Sequence, residues 1–125
     1  MASMSDYVLD AALSKLDTEA DKIYITSQEA TTYTEASSTY ALGVATSISI
    51  GAPQDRSASG GGREVVLANV TGGSVTATGD ADTFALVDST NSRLLATGSL
   101  TASQTVTSGN TFVLASITLG IPDPA

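Results

Sequence analysis

The fold is decided by the stretch TFALVDSTNSRLLATG, residues 83–98. It contains an apolar run at 83–88, four turn-forming residues at 89–92, and a second run at 93–98. Two strand-forming runs joined by a short polar turn predict an antiparallel hairpin. The apolar residues of the first run predict a buried strand at 83–88, on which 93–98 pairs back. The run at 64–70 is apolar on both faces, so we expect that strand to be central or sandwiched.

Strand-forming runs continue on both sides of this hairpin. The other predicted strands are 22–26, 46–50, 64–70, 74–78, 104–107 and 111–119. Turns are predicted at 71–73, 79–82 and 108–110. A turn signal about every 8 to 12 residues is typical of sandwiches and barrels. The predicted fold class is therefore mainly β, an antiparallel β-sandwich or barrel. Eleven large side chains are expected to point inward: Ile23, Ile25, Ile48, Ile50, Val65, Leu67, Phe84, Leu86, Leu95, Phe112 and Leu114.

Residues 5–20 carry a helical pattern instead. Apolar residues recur there with the spacing of one helical face: Val8, Leu9, Ala12, Leu13 and Leu16. Ser5 or Asp6 can cap the start of this N-terminal α-helix. The helix either closes one end of the β core or docks onto a neighbouring subunit. A further short helical turn is plausible at 34–38.

The longest break in the pattern is residues 51–62, which end in Gly60, Gly61 and Gly62. Three consecutive glycines are entropically costly in a regular element, so we expect an exposed, mobile loop. Arg56 and Arg63, two of the five basic residues, bracket this glycine segment. They either keep the loop soluble or grip carboxylates of a partner on which the loop becomes ordered.

Length, charge and composition limit the classes of protein to which the chain can belong. At 125 residues we expect a single domain, with an N-terminal arm and helix at 1–20, a β body at 21–120 and a tail at 121–125. The net charge of −8 disfavours nucleic acid and anionic membrane as partners. The early residues lack the basic region of a signal peptide, so synthesis in the cytoplasm without export is expected.

Catalytic chemistry has little material in this sequence. The chain has no His, Cys or Trp, and more than a quarter of its residues are Ser or Thr. Asp80, Asp82 and Asp88 are interpreted as solvated turn acids, because the calcium-loop pattern is absent. The glycine run before Arg63 lacks the Lys and Ser or Thr of a phosphate-binding loop. We therefore expect no enzyme activity, no cofactor and no metal.

Three segments resemble small structural proteins of tailed-bacteriophage virions. They are DYVLDAAL at 6–13, the stretch from ALVD at 85–88 through LLATG at 94–98, and LGIPD at 119–123. The resemblance covers most of the chain from Asp6 onward. It includes capsid decoration (cement) proteins, which bind the outside of an assembled head and stabilise it, often as trimers, without catalytic residues.

The resemblance implies a virion protein made in the host cytoplasm and located on the capsid surface. It implies the major capsid protein or other virion proteins as partners, and a homo-oligomer, specifically a trimer. The surface expected to bind the partner combines the helix face with the glycine loop: Tyr7, Val8, Leu13, Arg56, Gly60, Gly61, Gly62 and Arg63. The alternatives are a phage tail or head-fibre component, or a ligand- or glycan-binding β module. Scarce aromatic residues disfavour the glycan module.

Overall fold

A computed structural model describes residues 4–57 and 61–122. The prediction of a mainly β fold with one N-terminal α-helix is confirmed: 49% of the structure is strand. The elements are α1 Asp6–Glu19, β1 Lys22–Thr26, a π-helical segment Glu35–Thr39, β2 Ala41–Ala45, β3 Gln54–Asp55, β4 Arg63–Leu67, β5 Val70–Val75, β6 Gly79–Asp88, β7 Arg93–Val106, β8 Thr111–Leu114 and β9 Ile117–Ile121. All strand pairings are antiparallel. None of the helices within 4–57 and 61–122 has the length and hydropathy of a membrane span.

The chain is organised as two compact units that interleave along the sequence. Within the described residues, unit 1 comprises 4–18, 49–57, 61–69 and 115–122, and unit 2 comprises 19–48 and 70–114. Unit 1 contains nearly all of α1 and a sheet with strand order β3-β4-β9. Unit 2 contains a sheet with strand order β7-β6-β1-β2-β5-β8, which curls into a half-barrel.

The centre of unit 2 is the predicted hairpin, extended by β1. β6 pairs with β7 on one side and with β1 on the other, where Ile23 lies opposite Leu86 and Ile25 opposite Phe84. The turn at 89–92 is confirmed, with Ser92 in the left-handed conformation at φ 55°. Residues 83–88 are all buried, as the continuous apolar run predicted.

A second apolar layer explains why β6 is buried on both faces. Ala30 and Ala36, which come from the segment between β1 and β2, form a buried cluster with Ala85 and Val87 of β6. Four partly buried side chains pack against this cluster: Tyr24, Tyr33, Tyr40 and Leu94. Three of the chain's four tyrosines therefore lie in one layer of unit 2.

Both phenylalanines pack against glycines on neighbouring strands. Phe84 lies opposite Gly98 in the β6–β7 register, and a Cβ at Gly98 would be 2.7 Å from its ring. Phe112 lies opposite Gly73 and also against Gly43, where a Cβ would be 2.9 Å from its ring. Each ring covers the surface that a glycine leaves bare, which is a known way of stabilising glycine within a strand.

Several predicted boundaries differ from the structure. The strand expected at 46–50 is absent, since β2 instead occupies Ala41–Ala45 and Ile50 makes only an isolated bridge to Leu67. The strand expected at 64–70 ends at Leu67, because the chain passes there from unit 1 to unit 2. The strand expected at 111–119 is likewise divided into β8 and β9.

Two predicted turns are strand instead. Residues 71–73 lie inside β5, where Gly72 has a φ of 74° and the register shifts. Residues 79–82 extend β6, and Gly79 leaves room for Leu42, which a Cβ would approach to 3.1 Å. The glycines that indicated these turns therefore serve a bulge and a close packing contact.

Most of the predicted inward set is buried, and three members are only half-buried: Ile48, Ile50 and Leu95. The first two lie outside regular strands. Leu95 falls at a register shift in the β6–β7 pairing, where Leu86 pairs with Ala96 and Val87 with Leu94. The extra residue on β7 has no direct cross-strand partner there.

Candidate docking surface

Helix α1 presents three different faces. Leu9 and Leu13 are buried and Leu16 is half-buried, which marks one face as inward. Asp6 and Asp10 lie on a second face, one helical turn apart. The third face points to solvent; it is apolar as far as Ala11 and becomes polar at Ser14 and Lys15. A helix that is apolar on its exposed side as well as its inward side has more apolar surface than its own unit covers.

We call the third face the α1 outer face and define it by Tyr7, Val8 and Ala11. Tyr7 and Val8 lie four and three residues before Ala11, which is the spacing of neighbours on one helical face. Tyr7 is 85% exposed and Val8 46%, and Ala11 is exposed as well; Met4, which precedes the helix, is 43% exposed. Single exposed apolar residues are ordinary, but a contiguous patch is typical of an interaction surface. The helical spacing in the sequence could have identified Ala11, which was not among the predicted contacts.

The acidic face of α1 is bound to β4 through Arg63. The Arg63 guanidinium donates to both carboxylate oxygens of Asp10, at 2.8 and 3.3 Å, and to Asp55 Oδ1 at 2.6 Å. It also donates to the carbonyl oxygen of Pro53 at 3.3 Å, and Asp6 lies 3.9 Å away. A bidentate contact of this kind fixes orientation as well as distance. Arg63 therefore holds the helix in place on its own unit.

The electrostatics of this cluster keep Arg63 charged. Hydrogen bonds to Asp10 and then to Asp55 raise the pKa of Arg63 above its usual range. The Arg63 side chain is only 16% exposed. This changes the assignment of Arg63 as a partner contact, because its donors are already engaged by carboxylates of the same chain.

The described part of the predicted glycine loop, residues 51–57 and 61–62, contains strand β3. β3 pairs with β4, and Arg56 N donates to Gly62 O at 3.0 Å. Gly61 and Gly62 have φ values of 68° and 94°, and a Cβ at Gly62 would collide with the Ile121 carbonyl oxygen. These two glycines are thus required by backbone geometry. Gly60 lies outside the described residues.

Arg56 lies beside the same pair of strands. Its Nη1 donates to the Gly61 carbonyl oxygen at 3.2 Å, and its side chain runs along Gly120 of β9. Partner binding by Arg56 and Gly61 stays a prediction.

The assignment of Leu13 as a partner contact also changes. Leu13 is 3% exposed and lies about 120° around the helix axis from Tyr7, on the buried face. The predicted contacts Tyr7 and Val8 lie together on the α1 outer face, and Leu13 belongs to the interior. The apolar pattern of α1 includes both faces, and the sequence does not say which face is inward.

The acids considered for calcium binding have local roles. Asp88 is buried and accepts hydrogen bonds from Thr90 N, Asn91 N and Asn91 Nδ2, which fixes the turn at 89–92. Asp80 accepts from Thr105 Oγ1 at 2.9 Å, across the β6–β7 pairing. Among residues 4–57 and 61–122, no three acidic side chains are grouped as metal ligands would be.

Comparison of the chain with protein-family models, with curated proteins and with solved structures gives no match.

Proposed function

We propose that this chain is a structural protein of a tailed-phage virion, of the capsid-decoration type, that binds the outer surface of the assembled head. The observation that carries the proposal is the α1 outer face. It places Tyr7 and Val8 in solvent on a helix whose inward face is already occupied, and Met4 is exposed just before that helix. A partner that covers this face would gain the burial of apolar area at about 25 cal/mol per Å².

The mode of binding that fits this surface is a helix laid into a groove. Such complexes are anchored by residues three and four positions apart on one helical face, as Val8 and Tyr7 are from Ala11. Tyr7 is the expected main anchor, since tyrosine combines a large apolar area with a polar end and is enriched at binding hot spots. The Arg63–Asp10 contact supports the same reading, because a helix held in one orientation loses less entropy on binding.

A decoration protein binds many equivalent positions on a shell, so contacts between copies add to each single contact. We propose that the copies on the shell form a homo-oligomer, a trimer by the resemblance to decoration proteins. The partner is the major capsid protein or another virion protein. Only 14% of the residues are charged, and a surface rich in Ser and Thr suits close packing of copies.

The test measures how much of each purified variant binds to tailed-phage heads that were purified without the chain. We expect Tyr7→Ala to lower occupancy by at least roughly tenfold, in line with the loss of a hot-spot residue. Val113→Ala is the matched control, because Val113 is also apolar and is 61% exposed, but it lies on β8. Equal occupancy of both variants and the unmodified chain would refute docking through α1. Failure of the unmodified chain to bind any head would refute the virion role.

A further inference from the structure

The exposed edge of β9 is the most regular strand edge in the described residues. β9 is the outer strand of the unit 1 sheet and pairs with β4 through five consecutive residues without a register shift. No backbone partner is found on its other side among residues 4–57 and 61–122. That side therefore presents unpaired backbone N–H and C=O groups, which another strand can pair with.

The other three sheet edges carry features that discourage pairing. β3 is two residues long and contains Asp55. The β7 register shifts twice, and the larger shift inserts three extra residues between Ser99 and Gln104. The β8 pairing is also shifted. Short edges, charges and bulges protect natural sheets against further pairing, and β9 has neither a charge nor a bulge.

The side chains of β9 are also incompletely covered. Ile117, Leu119 and Ile121 alternate along one face and are all half-buried. On the neighbouring strand, Val65 and Leu67, which lie opposite Leu119 and Ile117, are 0% and 1% exposed. The apolar side chains on this face are thus buried on β4 and only half-buried on β9. The side of β9 that is left open is the side where a further strand would lie.

The sequence of β9 indicates that the strand paired with its free edge is β9 of a second copy. Residues 117–121 read ITLGI, with isoleucine at both ends and leucine at the centre. In an antiparallel pairing centred on Leu119, each leucine faces its counterpart and each Ile117 faces Ile121 of the second copy. A shift by one residue would place the apolar side chains of the two strands on opposite faces, so this alternation selects the register. No charged residue enters the pairing.

We propose that two copies of this chain associate through antiparallel pairing of β9 with β9, which joins their three-stranded sheets across a two-fold axis. The contact is isologous, since the same surface serves both copies. It is compatible with the trimer proposed above, because an isologous contact at β9 can join copies of two different trimers across a two-fold axis. It concerns the isolated chain, so its failure would leave the virion role untouched.

The first test uses single cysteines, since the chain has none of its own. In the proposed register Leu119 of one copy faces Leu119 of the second copy at a Cα separation of about 4.5–5.5 Å, which is within disulfide range. Thr118 faces Gly120, so its own counterpart is diagonal at about 7–8 Å, beyond that range. We expect Leu119→Cys to form disulfide dimers under mild oxidation at least roughly tenfold faster than Thr118→Cys. Equal rates would overturn the proposal.

The second test needs no substitution and applies even if a variant does not fold. Hydrogen exchange of the unmodified chain is measured at about 10 µM and about 1 mM, where mass action favours the dimer at the higher concentration. Amide protection should rise with concentration in β9 and not in β3, the opposite edge of the same sheet. Light scattering should show the weight-average mass of the protein doubling over the same range. Unchanged β9 protection, or an unchanged mass, would overturn the proposal.

Discussion

Gly98 offers the sharpest test of how unit 2 is packed. Replacement of glycine by alanine in a strand ordinarily stabilises it by about 0.5–1 kcal/mol, through the lower entropy of the unfolded chain. At Gly98 the new Cβ would lie 2.7 and 2.8 Å from the Cε1 and Cζ atoms of Phe84. The Phe84 side chain is 4% exposed and has little room to move. We therefore expect Gly98→Ala to destabilise the chain, by the 1–3 kcal/mol that is about typical of overpacking.

The origin of this cost is tested by removing the ring. Phe84→Ala alone should cost about 3–5 kcal/mol through lost burial and a cavity. In the double variant, which carries both Gly98→Ala and Phe84→Ala, the clash no longer exists. The loss of unfolding free energy should therefore stay near that of Phe84→Ala alone, and it should be smaller than the sum of the two single losses by about 1–3 kcal/mol. Gly51→Ala is the control, since a Cβ there meets only the Val66 carbonyl oxygen at an ordinary 3.6 Å.

The measurement is the free energy of unfolding from urea titrations followed by circular dichroism, with the m-value compared across the set. We expect Gly51→Ala to raise the free energy of unfolding slightly, by at most about 1 kcal/mol, because the new methyl group meets no clash. Two results would refute the reasoning: a Gly98→Ala chain more stable than the parent, or effects that add to within about 0.5 kcal/mol in the double variant.

Three further predictions address unit 1, α1 and acid stability. Leu13→Ala should cost about 2–5 kcal/mol of unfolding free energy, whereas Tyr7→Ala should change it by less than about 0.5 kcal/mol, because only Leu13 is buried; parallel urea titrations compare them. Arg63→Lys should lower the melting temperature although the charge is kept, since lysine cannot make the bidentate contact; a calorimetric scan with no shift would contradict this. Burial raises the pKa of Asp21, but hydrogen bonds from Ser89 outweigh this effect, so the Asp21 pKa lies below its ordinary 3.8. A hydrogen bond from the Thr31 backbone N–H lowers the pKa of Glu35 below its ordinary 4.5. The unfolded state then binds protons more readily than the folded state. The stability that these two carboxylates contribute is therefore complete above about pH 4.5 and is lost as the pH falls through their folded-state pKa values. Asp21→Asn should flatten the acid side of the curve of unfolding free energy against pH.

The predictions from sequence succeeded where one local signal dominated. The hairpin at 83–98 and strand β1 have dense apolar and β-branched runs bounded by polar turns, and both were placed correctly. β2, with the sequence ALGVA, was missed because alanine and glycine are poor strand formers. Its strand partners β1 and β5 and the Phe112 ring that covers Gly43 are tertiary contacts, which no local pattern in ALGVA indicates.

The candidate site was predicted only in part for the same reason. Helical spacing identified Tyr7 and Val8 on α1 but could not tell which apolar face the rest of the unit would cover. The pairing of Arg63 with Asp10 joins residues 53 positions apart in the sequence. No local pattern indicates that an arginine beside a glycine loop is engaged by a helix at the start of the chain.

The interleaving of the two units has a consequence for the order of folding during synthesis. Among the described elements α1 is made first, yet its unit also needs β4 and, last of all, β9. Unit 2 needs nothing beyond Leu114, so its last strand emerges from the ribosome just ahead of β9. Until β9 emerges, the apolar side chains of α1 and β4 lack the strand that completes the sheet of their unit. Unit 1 is thus the last part of the described chain to be completed, and the helix that we propose binds the shell becomes fixed only after the strand that we propose pairs two copies has emerged.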